Sequence, residues 1–297
     1  MKRFLALSRS THGVLDIAMP GFVALLWLGR FPAWPVLAVC LAAAVAGYTA
    51  IYALNDIVGF KDDREKVAGG VKPGYAVEAS ALRYPIAQNL VSMKGALAWF
   101  TLWFALAVGC IWWLNPRILV ILIVAAALEV VYVKLFKVTW WRTLVSGLVK
   151  SAGPVAAVFA VIEHPSWSWL ALMVAWLVAW EIGGQNILAD WNDIEEDRRV
   201  GARTIPLALG LPVAGWLVLA LLVVTTLLSL TLPLMSPLVL DWRYLLCAAV
   251  AGGVLLIAPA VRLVRTLDGR HAAGLFDLSS LYPLAMLAIA VGFVLTS

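Results

Sequence analysis

Asn186-Ile187-Leu188-Ala189-Asp190-Trp191-Asn192-Asp193-Ile194-Glu195-Glu196-Asp197-Arg198 closes an apolar run that begins near Trp167. On a helix, positions four and seven apart share a face. Asn186, Asp190, Asp193 and Asp197 fall at i, i+4, i+7 and i+11, so one face of one helix is expected to carry an amide and three carboxylates. A second stretch, Asn55-Asp56-Ile57-Val58-Gly59-Phe60-Lys61-Asp62-Asp63-Arg64, makes a similar but thinner face. Asp56 and Asp190, Asp63 and Asp197, and Arg64 and Arg198 each stand 134 positions apart. That shared register reads as an internal duplication of an Asp-rich motif.

Around these stretches the chain is apolar. Of its 297 residues, 63% are hydrophobic and only 13% charged, and its mean hydropathy is +0.95. Ordinary soluble domains are about 45–50% apolar and about 25% charged, so the composition is that of a membrane protein. The net charge of +5 argues for a nucleic-acid partner only in a soluble chain, and none is expected here. Met1 to Leu7 offers only a short apolar patch before Arg9, His12 and Asp16, which is not a secretory pattern. Cys40, Cys110 and Cys247 lie singly in apolar runs, as small packing residues do, and form no disulfide or thiolate framework.

Hydropathy predicts nine transmembrane helices, at about 14–30, 34–54, 95–114, 117–134, 143–162, 167–189, 211–233, 244–264 and 276–296. Threading these spans puts nineteen of the 22 Lys and Arg on one side and Arg30, Arg117 and Arg243 on the other. The positive-inside rule places the richer side, with the N-terminus and both acidic stretches, in the cytoplasm of an inner or plasma membrane. The outer connections are short, whereas segments 55–94 and 190–210 are longer and polar. The chain is expected to be a single domain over residues 1–297.

Clustered carboxylates beside a membrane need a cation to offset their repulsion. Oxygen-only ligands suit Mg²⁺ or Ca²⁺. With Arg64, Arg198 and Arg203 nearby, the two faces suit a diphosphate held by metal ions and arginines. A solvated loop of mixed charge is the competing reading. Helical spacing, duplication and placement at helix ends weigh against it.

Read together, the motifs resemble those of the UbiA superfamily of membrane prenyltransferases. That family's first motif is NDxxDxxxD, and this chain has Asn55-Asp56-x-x-Gly59-x-x-x-Asp63, with glycine at the middle Asp. Arg83-Tyr84-Pro85 to Ser92 looks like the family's RPxxSGxxS turn, displaced by an insertion at Ala68–Ala79. Asp190-x-x-Asp193-x-x-x-Asp197-Arg198 followed by Gly201-Ala202-Arg203-Thr204 resembles the second acidic motif and its G-x-K/R-S/T segment. Tyr132-Val133-Lys134-Leu135-Phe136-Lys137 is similar to a YxxxK element, with its last lysine one position late.

The resemblance implies an all-α bundle around a central cavity and a Mg²⁺-dependent transfer from a polyprenyl diphosphate to an aromatic, quinone-precursor-like or other lipophilic acceptor. It implies catalytic, Mg²⁺-binding roles for Asp56, Asp63, Asp190, Asp193 and Asp197. It implies substrate binding by Asn55, Asn186, Arg9, Arg64, Tyr132, Lys134, Lys137, Arg198 and Arg203. Lipid surrounds the whole. Two other readings stay open: a related cyclase acting on the prenyl diphosphate alone, and a cation-binding transporter.

Asp16, Glu129, Lys150, Glu181 and Gln185 fall within or near spans. Such groups are either functional or paired to hold helices together. Lys150 is expected to pair with Glu129 or Glu181, and His12 with Asp16. A base that takes the acceptor's proton belongs among Asp16, Glu129 and Glu181, and spacing does not choose between them. No Lys or Arg occurs between Pro35 and Leu54, which favours a neutral or lipid-like acceptor. Most of the 15 tryptophans sit at span ends, as interfacial anchors do.

Overall fold

The computed structural model describes residues 2–9, 15–70 and 82–296, and these form helices and connections with no strand among them. His12 and all but the start of the insertion read at Ala68–Ala79 lie outside the described residues. A short α1 (Lys2–Leu7) precedes α2 (Ala18–Leu28), α3 (Trp34–Ala68), α4 (Met93–Leu114) and α5 (Ile118–Lys134). Then come α6 (Arg142–Val161), α7 (Trp167–Asn192), and the short α8 (Ile194–Arg199) and α9 (Ile205–Leu209). The chain closes with α10 (Leu211–Ser229), α11 (Trp242–Thr266) and α12 (Gly269–Thr296).

Seven of these, α3, α4, α6, α7, α10, α11 and α12, are long and apolar enough to cross a membrane. Nine spans were expected. The two others, α2 and α5, are apolar but have 11 and 17 residues. At 1.5 Å per residue α2 is only about 16 Å long, short of a hydrocarbon core of about 30 Å.

α3 packs along α4, α5 along α6, and α2 between α6 and α12, while α7 is held by α6, α10 and α12. Glycines permit the closest approaches. A Cβ at Gly147 of α6 would meet Val178 of α7 at 2.9 Å, and one at Gly183 of α7 would meet Leu221 of α10 at 2.8 Å. The main core, with Phe22, Trp176, Leu222, Tyr244 and Tyr282, lies among α2, α7, α10, α11 and α12. Many large apolar side chains on the outside, such as Leu102, Val120 and Ile123, are exposed, as a lipid-facing surface requires.

Both acidic stretches differ locally from expectation. The first lies wholly inside α3, whose 35 residues run on past the predicted span end. The second is not one continuous helix. α7 contains a π turn at Ile182–Asn186 and stops at Asn192, and Asp193 (φ −99°, ψ 10°) divides it from α8. The regular i, i+4, i+7, i+11 face therefore breaks after Asp190.

Candidate active site

α2, α3, α5, α6, α7 and α12 enclose a cavity of about 690 Å³. One end carries Asp63, Lys66, Arg142, Asp190 and Asp197; the other is walled by Phe31, Leu37 and Leu114. Along α3, Leu37 and Asp63 are about 39 Å apart at 1.5 Å rise per residue. The cavity is thus a long channel with a charged mouth and an apolar far end.

At the mouth Asp56, Asp190, Asp193 and Asp197 each meet a cation from elsewhere in the fold. Arg142, first residue of α6, donates from Nη2 to Asp190 Oδ1 at 2.6 Å. Its guanidinium stacks on Tyr132 and Phe136, 4.6 and 4.9 Å from the ring centroids. Lys66 Nζ lies 2.7 Å from Asp197 Oδ1. Arg83 bridges Asp193 (2.6 Å) and Glu196, and Tyr84 donates to Asp193 Oδ2 at 3.1 Å. Arg9 approaches Asn55 Oδ1 at 3.4 Å and Asp56 at 3.7 Å. Asp56, Lys66, Arg142, Asp190 and Asp197 are all buried. Burial pushes the Asp197 carboxyl above the usual carboxylate range, with Lys66 pulling against it.

The amides are ordered too. Asn186 accepts from Thr143 at 2.8 Å and donates to the Tyr132 hydroxyl at 3.0 Å. Asn55 donates to Glu129 at 2.5 Å. Of the residues singled out in the sequence, Arg9, Asn55, Asp63, Tyr132, Asn186, Asp190, Asp193 and Asp197 line the cavity, and Asp56 is buried but does not line it. Arg64, Lys134, Arg198 and Arg203 are exposed and do not line it. Lys137 pairs instead with Asp62 (2.9 Å) and Glu65 (2.7 Å). Lys66, Arg83 and Arg142 were read in the sequence only as cytoplasmic charges or turn residues. A signal existed for Lys66, three positions after Asp63 and so on its helical face.

Asp190 Oδ2 and Arg142 Nε are buried without a hydrogen-bond partner among the described residues, so each has capacity for a ligand. No group of three or more potential metal ligands gathers among the described residues. Mg²⁺ usually takes one or two carboxylates and completes its octahedron with water and phosphate oxygens, which this oxygen-only mouth allows.

A sequence profile of the UbiA prenyltransferase family matches residues 17–293. The chain belongs to the UbiA prenyltransferase family. This UbiA chain is therefore a membrane-embedded prenyltransferase. It is 31% identical over 205 residues to a digeranylgeranylglyceryl phosphate synthase of Methanopyrus kandleri, covering 63% of this chain and 68% of that one. It is 30% identical over 135 residues to a 4-hydroxybenzoate octaprenyltransferase of Shewanella frigidimarina, covering 45% and 46%. In structure it is similar to a UbiA homologue from Aeropyrum pernix K1 (TM-score 0.73, 20% identity, 95% of this chain and 98% of that one). It is also similar to an Archaeoglobus fulgidus homologue solved with GPP and Mg²⁺ (TM-score 0.64, 14% identity, 97% and 99%). The two structural likenesses concern the fold.

Proposed function

We propose that this UbiA chain transfers a prenyl group from a polyprenyl diphosphate to a lipophilic acceptor, with the diphosphate at the charged mouth and the tail toward the apolar far end. The observation that carries this is the cavity itself: carboxylates and cations crowd its mouth, a smaller polar group with Glu129, Lys150 and Glu181 lies below them, and the far end toward Phe31, Leu37 and Leu114 is apolar. Lys66 and Arg142 are placed to turn from their carboxylates onto the diphosphate, where cations stabilise the departing charge. Asp56 and Asp63 on α3, with Asp190, Asp193 and Asp197 opposite, would hold Mg²⁺. With Mg²⁺ bound, the leaving diphosphate is neutralised and the allylic carbon–oxygen bond weakened. Asn55 and Asn186 orient ligands, Tyr132 supports Asn186 and Arg142, and the apolar walls keep water from the allylic cation.

The same reading treats residues 1–297 as one domain. It counts α2 and α5 as spans eight and nine, completed by flanking residues. It takes the two acidic stretches, one on α3 and one on α7 and α8, as a duplicated motif. It sets the mouth on the cytoplasmic side of an inner or plasma membrane. The relatives' names favour prenyl transfer and differ in acceptor, so the acceptor is left as lipophilic or aromatic.

The test is pyrophosphate release by purified protein with Mg²⁺ and a series of allylic diphosphates. Release that requires Mg²⁺, Asp190, Asp197 and an acceptor is expected. Release without an acceptor, with cyclised products, would replace the proposal by the cyclase reading. Failure to bind any allylic diphosphate would overturn both.

A further inference from the structure

Below the charged mouth the cavity holds a second polar cluster. Lys150 Nζ donates to Asp16 Oδ2 at 2.5 Å and to the Tyr52 hydroxyl at 2.8 Å, and Tyr52 donates to Asp16. Lys150 is therefore engaged by Asp16, not by Glu129 or Glu181. Glu129 accepts from Asn55. Glu181 accepts from Ser146 through Oε1 at 2.8 Å. Its other oxygen, Oε2, is buried with no hydrogen-bond partner among the described residues. Glu181 is 3% exposed and lines the cavity. A buried carboxylate oxygen left without a donor is costly unless a ligand supplies one.

The fold brings Glu181 here by a device that spacing conceals. At 3.6 residues per turn, positions nine apart, such as Glu181 and Asp190, lie on opposite faces of an α-helix. The π turn Ile182–Asn186 accommodates one extra residue and rotates Glu181 toward the face of Asn186 and Asp190. Glu181 then stands about 13 Å below Asp190 at 1.5 Å per residue. That interval leaves room for a diphosphate head, its first carbon and one acceptor oxygen.

Charge completes the picture. Lys150, Asp16 and Glu129 are the charged groups that act on Glu181. Glu129 also feels Arg9 and Arg142, and Arg9 lies 5.5 Å from the Tyr52 ring centroid, so Asp16, Glu129 and Glu181 face Lys150 within the cluster and these two guanidiniums from the mouth side. Arg9 and Arg142 lie nearer the mouth, held by Asp56 and Asp190. An anionic acceptor entering here meets an excess of negative charge in a low-dielectric setting, where repulsion is strong.

We infer that Glu181 binds the acceptor and receives its proton, and that the acceptor is an uncharged hydroxyl compound rather than a carboxylate or phosphate. This rests on the prenyl-transfer reading above. The acceptor O–H donates to Glu181 Oε2. As its oxygen bonds to the first carbon of the prenyl chain, the carbon–oxygen bond to diphosphate breaks and the diphosphate leaves with that electron pair. The hydroxyl proton passes to the Glu181 carboxylate. Asp16 acts at one remove, as a positioning residue that occupies Lys150.

The experiment pairs neutral and anionic acceptors: methyl 4-hydroxybenzoate against 4-hydroxybenzoate, and a monoalkyl glycerol ether against its phosphate. The protein is used in lipid nanodiscs with Mg²⁺ and geranylgeranyl diphosphate, and diphosphate binding is measured alongside transfer. Wild type should prefer the neutral member of each pair. Glu181→Gln should lower kcat about 100-fold or more, the usual scale for a lost general base, with diphosphate binding intact. Glu181→Asp should recover part of that loss. Asp16→Asn, by freeing Lys150, should shift the neutral-to-anionic ratio of kcat/KM toward the anion about 10-fold, one decade being about 1.4 kcal/mol. Preference for the anionic member, binding without transfer to any neutral hydroxyl, or full transfer by Glu181→Gln would overturn the inference and leave the parent reading intact. Wild type that fails to bind the diphosphate with Mg²⁺ would overturn both.

Discussion

Replacing Arg142 by Met removes a guanidinium and leaves Asp190 behind in a buried wall. The two side chains are 5% and 8% exposed and 2.6 Å apart, so the abandoned carboxylate has little water to turn to. Breaking a buried ion pair from one side costs about 3–5 kcal/mol. Losing the stacking on Tyr132 and Phe136 adds about 0.5–2 kcal/mol. Arg142→Met should therefore lose roughly 4–6 kcal/mol. The double variant Arg142→Met with Asp190→Asn removes both charges and should regain most of the ion-pair part, ending about 1–2 kcal/mol below wild type. Unfolding in mixed micelles with increasing SDS, followed by tryptophan fluorescence, gives the midpoints. A double variant as unstable as the sum of the single ones would refute the reasoning. It would mean that Arg142 supports the wall by packing alone and leaves no stranded charge when removed.

Three other substitutions probe the mouth and channel. A Cβ at Gly59 would meet nothing closer than Asp63 Oδ2 at 3.4 Å, so Gly59→Asp fits. It should tighten Mg²⁺ binding in the presence of diphosphate about 10-fold, or about 1.4 kcal/mol; unchanged affinity in a Mg²⁺ titration would remove α3 from the metal site. Gly47 lines the channel with open space around it, about 24 Å below Asp63 along the helix. Gly47→Leu should cut turnover of long-chain diphosphates about 10-fold, the scale on which pockets discriminate small volumes, and spare geranyl diphosphate. Equal effects on both chain lengths in a kcat/KM comparison would contradict the assigned tail path. Asp197 has its carboxyl raised by burial, so the folded state holds its proton more tightly than the unfolded state. Its contribution to stability is present below about pH 4, the ordinary carboxylate value, and is lost as pH rises through the raised value. Asp197→Asn should flatten that fall in the ligand-free protein, as micelle unfolding at several pH values would show.

The membrane class, the helical fold and the two acidic stretches were all legible in the chain, because hydropathy and local motifs are properties of neighbouring residues. Nineteen cations crowded on one side of the threaded spans carried the expected orientation in the same local way. What the sequence withheld was which cation meets which carboxylate. Arg83 reaches Asp193 across 110 positions and Arg142 reaches Asp190 across 48, and only helix packing makes those meetings. Arg64, Arg198 and Arg203 read as phosphate ligands by proximity in sequence, yet they are exposed outside the cavity. Helical phase decided the rest. A break at Asp193 and a π turn at Ile182–Asn186 each shift side chains by part of a turn, and a regular 3.6-residue count cannot see either. Glu181 is the plainest case: its spacing from Asp190 places it on the far face of a regular helix, and the π turn seated against Leu221 and Ser279 brings it to the cavity.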